Sequence, residues 1–299
     1  MFFASKSFSS YKSGGHPRIS ENRNSREGGE IGSRINVLEP SWKQFSSFSK
    51  FNSVRDSFSL FLSPTNPIAT LNNMSIKNYF NSIALNNDGC EHMECGEFLS
   101  ARNCFRDSLQ FMTMAIVEAQ KEMENQPQPL DDGERLSEFQ WSVLPRAPLH
   151  QTPDVFIYER AIFIYRDDDD PGPSAFELSD ESSMIVFNLG LSFHLLARST
   201  NKAMLANEAL GFYKIAEAIR CRRTQSGTPE LIDLAISNNI GHALYEQVNY
   251  EQACSYFWTL KEGLLYFNQE GLFDFISQND SDGFVLNASI AKVNLAAAA

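Results

Sequence analysis

Apolar positions over residues 76–93 and 97–124 recur every three or four residues, in two blocks separated at Cys95-Gly96. That period gathers apolar side chains on one face of a helix, so the pattern predicts two helices joined by a short turn. On the second, Phe98, Ala101, Phe105, Leu109, Met112 and Ile116 share a face, and Pro127 and Pro129 end it. The pattern returns over 180–198 and 203–222, and again over 229–247 and 250–267, where Thr228-Pro229-Glu230 marks a helix start. A short helix over 269–277 is expected to close the series. DVFIYERAIFIYR at 154–166 departs from this period. It is rich in aromatic and β-branched residues, which predicts a strand, paired with FQWSVL at 139–144 in a hairpin. Residues 1–73 show no sustained period apart from Phe45, Phe48, Phe51, Val54 and Phe58, which fit one amphipathic helix over 42–62. The expected architecture is all-α. About three stacked helical hairpins lie in 74–299, with a small β-hairpin insertion at about 126–180. Residues 1–73 form a disordered Ser/Asn/Phe-rich region.

Within the helical blocks a finer pattern recurs. Gly241 is followed by Ala253 and Phe257, and Gly89 by Ala101 and Phe105 at the same intervals. Gly190, Ala209 and Tyr213 repeat it with seven extra residues in the first interval. Seven residues are about two helical turns, so the longer copy keeps its faces aligned. Small residues let paired helices approach closely, and the aromatic fills the groove between them. With Leu189-Gly190, Ile240-Gly241 and the later Ala-x-x-x-aromatic, the chain resembles the tetratricopeptide repeat (TPR) family. The stretch NNIGHALYEQVNYEQACSYF is also locally similar to the repeats of kinesin light chain-type proteins. The usual Trp at the head of each unit and Pro at its end are missing, and the Pro-rich, strand-like insertion interrupts the array.

The resemblance implies stacked helical hairpins acting as a non-catalytic scaffold or adaptor that binds a peptide or protein segment in a concave face. Two residues before each Gly stands an Asn: Asn87, Asn188 and Asn239. In the family that position faces the groove, and its amide, donor and acceptor at once, bonds an extended peptide backbone. The bland alternative is an amide bonded within the array. Neighbouring positions carry no Lys or Arg, so a clamp for a terminal carboxylate is not expected.

Charge narrows the partner. Residues 1–73 hold nine Lys/Arg and five Asp/Glu, leaving 16 basic and 32 acidic residues beyond them, out of 25 and 37 in all. A surface this acidic repels phosphate backbones, so the expected partner is a basic peptide or protein and not nucleic acid. The longest apolar run, Met184–Ala197, falls short of the roughly 20 residues of a membrane span. Five Cys without a C-x-x-C pair point to a reducing, intracellular setting, with the cytoplasm as the expected compartment. The first 20 residues have the basic, acid-free composition of an organellar leader but no amphipathic face. Met74 is an alternative natural start. Self-association through 45–62 is a further expectation.

No phosphate loop, nucleophile elbow or zinc-protease motif is present, so neither an enzyme nor a cofactor is expected. The contrary reading is a helical enzyme or metal protein using Cys90, His92 and Cys95. Asp167–Asp170 before Pro171-Gly172-Pro173 lacks the alternate-position spacing of a calcium loop and reads as a solvated turn. His194 and His242 lie on apolar helical faces and are expected at the edge of the core.

Overall fold

The computed structural model describes residues 73–125, 140–143, 155–166, 175–223 and 229–297. The N-terminal region, including the 42–62 stretch and the first 20 residues, lies outside the described residues. So do the rest of the Pro-rich connection and the Asp167–Asp170 run. Seven helices are formed among the described residues: α1 (Asn73–Glu94), α2 (Phe98–Asn125), α3 (Ala175–Thr200), α4 (Ala203–Arg223), α5 (Leu231–Glu246), α6 (Tyr250–Gln269) and α7 (Gln278–Ala297). A 3-10 turn, Leu272–Phe275, precedes α7. None of these helices is long and apolar enough to cross a membrane.

The pairs α1–α2, α3–α4 and α5–α6 close with the same turn. Gly96, Asn201 and Val248 all take positive φ, at 76°, 51° and 62°. The next residue's N–H then reaches five residues back: Glu97 to the His92 carbonyl at 2.9 Å, Lys202 to Ala197 at 3.0 Å and Asn249 to Leu244 at 3.0 Å. This is the hydrogen-bonded cap that left-handed residues give a helix C-terminus. Gly adopts that conformation freely, whereas a β-branched Val is strained in it. Replacing the exposed Val248 with Gly is therefore expected to raise the unfolding free energy by about 1 kcal/mol. Urea denaturation checks this, and a loss of stability would refute it.

Each helix packs against its sequence neighbours, and β2 (Ile162–Tyr165) lies against α1 and α3. The Gly–aromatic spacing has a direct structural cause. A Cβ at Gly89 would stand 2.6 Å from the Phe105 ring, one at Gly241 2.5 Å from Phe257, and one at Gly190 3.0 Å from Tyr213. Ala101, Ala209 and Ala253 are fully buried in the same interfaces. Pairs are joined to one another by Arg220 near the end of α4. It reaches Asp180 of α3 at 3.0 Å, Asp233 of α5 at 2.8 Å and Glu230 at 3.2 Å. Asp233 also accepts the Glu230 N–H at 2.8 Å, capping α5.

Two expectations change. The closing element is larger than a short helix over 269–277, because α7 runs for 20 residues and buries Phe284, Ala288 and Ala291. The strand expected over 154–166 is regular only at β2, which pairs antiparallel with β1 (Gln140–Val143), Trp141 opposite Ile164. Residues 155–161 are extended but carry no strand assignment.

Candidate functional site: an asparagine ladder

An extended chain has an N–H and a C=O of the same residue on one edge, and the next residue's pair on the other. A side-chain amide offers one acceptor and one donor in a similar plane, so one Asn can satisfy both groups of one residue. The structure repeats this match four times along residues 156–164. Asn287 accepts the Phe156 N–H at 2.8 Å and donates to its carbonyl at 2.6 Å. Asn239 does the same for Tyr158 at 2.9 and 3.0 Å. Asn188 holds Ile162 at 2.9 Å in both directions, and Asn87 holds Ile164 at 3.1 and 2.9 Å. The four amides project from α7, α5, α3 and α1, so the segment crosses these helices in reverse chain order.

A second set of amides supports the first. Asn86 donates to the Ile162 carbonyl at 3.1 Å and to Asn87 at 3.2 Å. Asn238 donates to the Phe156 carbonyl at 3.2 Å and accepts from Asn287 at 2.7 Å. Asn86, Asn188, Asn238, Asn239 and Asn287 are all fully buried. Buried amides are stabilising only when their donors and acceptors are met, and here they are met by backbone.

The segment's side chains fill the rest of the face. Tyr158 stacks on Phe284 with ring centroids 5.5 Å apart, and Phe156 meets the same ring edge-on at 5.6 Å. Its two arginines meet acidic helix residues: Arg160 lies 2.6 Å from Asp280, and Arg166 lies 3.0 Å from Glu181 and 3.1 Å from Glu177. Burial pushes Glu181 up to about 7, opposed by Arg166 and by the Tyr79 hydroxyl that donates to it at 2.7 Å. A recess of only 10 Å³ is lined by residues of the segment and of α1, among them Cys90 and Met93.

The three asparagines singled out from the repeat pattern thus share one face, and they bond a backbone that belongs to the chain itself. Asn287 completes the row but has Ser289 where the others have Gly, so the repeat pattern does not mark it. The supporting amides Asn86 and Asn238 have a visible signal, the Asn-Asn dipeptides at 86–87 and 238–239.

Cys90, His92 and Cys95 do not converge. Cys90 is buried and donates to the Ile162 carbonyl at 3.4 Å, His92 pairs with Glu97 at 2.7 Å, and Cys95 is exposed. A helix breaking at Gly96 sends the three in different directions. Among the described residues, the group with metal-ligand convergence is instead His194, His242 and Glu246, whose ligating atoms lie within 4.8 Å of one another. The two rings are 5.1 Å apart and buried, not at the core edge. Burial and the neighbouring His194 push His242 down to about 3. Glu246 is held down at about 2, since the histidines beside it outweigh the opposing effect of burial.

The depressed His242 value carries a pH prediction. An unfolded His takes up a proton near 6.5 while the folded one does not, so this contribution to stability is present above that pH and is lost as pH falls. Glu181, raised in the folded state, shifts stability the opposite way, so the test is a difference. From pH 7.5 to pH 5.0 wild type should lose about 2 kcal/mol of stability relative to His242→Leu. Parallel denaturation curves at the two pH values check it; an unchanged gap would contradict it.

Comparison of the chain with protein-family models, with curated proteins and with solved structures finds no match.

Proposed function

We propose that this protein is a non-catalytic interaction scaffold, a tetratricopeptide-type array of helical hairpins whose concave face grips extended backbone. In the resting state that face holds residues 155–166 of the same chain. The observation that carries the reading is the four-fold match between Asn87, Asn188, Asn239 and Asn287 and the backbone of Ile164, Ile162, Tyr158 and Phe156. Recognition through backbone groups does not specify side chains, which suits a face that accepts more than one segment. The pairing of Arg160 and Arg166 with Asp280, Glu177 and Glu181 supports a basic ligand. On this reading the partner is a protein or peptide, and nucleic acid and membrane are not.

Protease sites placed at 146–152 and 168–174 of the full chain make the segment non-covalent after cleavage. A labelled peptide of residues 153–167 is then expected to exchange into the face, with affinity falling as salt rises. Asn188→Ala with Asn239→Ala should weaken it about 100-fold or more, because buried partners are left unmet. Equal affinity for both proteins would move binding off this face. A cleaved chain that never releases its segment would make residues 155–166 permanent core and end the scaffold reading.

A further inference from the structure

Outside the ladder, the two buried histidines have unmet chemistry. His194 Nε2 and His242 Nδ1 are buried ring nitrogens without a hydrogen-bond partner. Both face one carboxylate oxygen of Glu246, at 3.5 and 3.8 Å. His242 and Glu246 are four residues apart on α5, hence on one helical face, and His194 comes from α3. Tetrahedral zinc, with bonds of about 2.0–2.1 Å, places its ligand atoms about 3.4 Å apart, so atoms now within 4.8 Å of one another must draw inward to bind it. Glu246 is 37 % exposed, which leaves solvent access on one side.

An outer partner is also in place. His194 Nδ1 lies 3.2 Å from the Tyr213 hydroxyl, which accepts from Asn239 at 3.3 Å. With the proton on His194 Nδ1, that N–H donates a hydrogen bond to the Tyr213 oxygen and the Nε2 lone pair is free for a metal; such outer contacts orient ligating histidines generally. The nearby cation, Arg198, is engaged by Glu159 of the extended segment at 3.7 Å.

We propose that His194, His242 and Glu246 form a Zn²⁺ site with its fourth position open to water. Two imidazoles and a carboxylate suit zinc and leave the hard-cation preferences of calcium and magnesium unmet. The site ties α3 to α5 and, through Tyr213, rests against the ladder at Asn239.

The test uses the full chain, stripped with a chelator and titrated with Zn²⁺ by calorimetry and with Co²⁺ by absorption. One equivalent of Zn²⁺ is expected to bind and raise Tm. Co²⁺ should give visible ligand-field bands without a near-ultraviolet thiolate band. Glu246→Gln, at an exposed position, and His242→Leu should each weaken binding about tenfold or more, since losing even an outer-sphere partner costs that much. No saturable zinc binding would overturn the proposal. So would binding unchanged in both variants, or a thiolate band placing the metal on cysteine.

Discussion

Replacing Asn188 with Ala is expected to lower the unfolding free energy by about 4 kcal/mol, the largest effect of any ladder amide. Its side chain accepts from the Ile162 N–H and donates both to the Ile162 carbonyl and to Asn86, all at 2.9 Å. The site is fully buried, so no bulk water replaces these bonds. Each buried group left unmet costs about 1–3 kcal/mol, and the lost side-chain volume adds to that. Asn87 makes the same two bonds at a half-buried position, where water can substitute, and Asn87→Ala should cost only about 1 kcal/mol. Equilibrium denaturation of both variants gives the contrast, and hydrogen exchange at the Ile162 amide reports the ladder itself. Equal costs, or an Ile162 amide as protected in Asn188→Ala as in wild type, would show that the amides follow the segment and do not hold it.

Gly241→Ala should destabilise by about 3 kcal/mol, although intrinsic helix propensity alone favours Ala by about 1 kcal/mol. The sign reverses because the added methyl would sit 2.5 and 2.7 Å from two ring carbons of Phe257. That ring is fully buried and anchors α6 on α5, so it cannot swing into solvent. Combining Gly241→Ala with Phe257→Leu should cost less than the two changes summed, with a coupling of about 1–2 kcal/mol. Gly190→Ala should be milder, since its nearest contact is 3.0 Å. A double-mutant cycle on thermal or urea stability measures all three, and strict additivity would exclude a direct clash.

The helix pairs were legible because their determinants are local. A 3.6-residue period, a left-handed residue in each turn and a small residue opposite an aromatic all act within about 25 residues of sequence. The same locality made Asn87, Asn188 and Asn239 visible, since each stands two residues before its Gly. It failed for α7, where Asn287 has no such Gly and the sequence 278–297 has no strong apolar face. It failed for Arg220 too, because its partners Asp180 and Asp233 come from two other helices.

Residues 154–166 show the division most clearly. Their composition announces an extended segment, but, among the described residues, 155–161 carry no strand assignment. Amides 81 and 131 residues away in sequence hold its backbone at Tyr158 and Phe156 instead. His194 and His242 likewise meet only because α3 and α5 present the same side. Sequence by itself determined α1 to α6, their pairing and the faces they expose, because backbone hydrogen bonds and apolar periodicity are short-range. Tertiary structure decided what fills the asparagine face and which histidines converge, because those contacts depend on how distant segments are brought together.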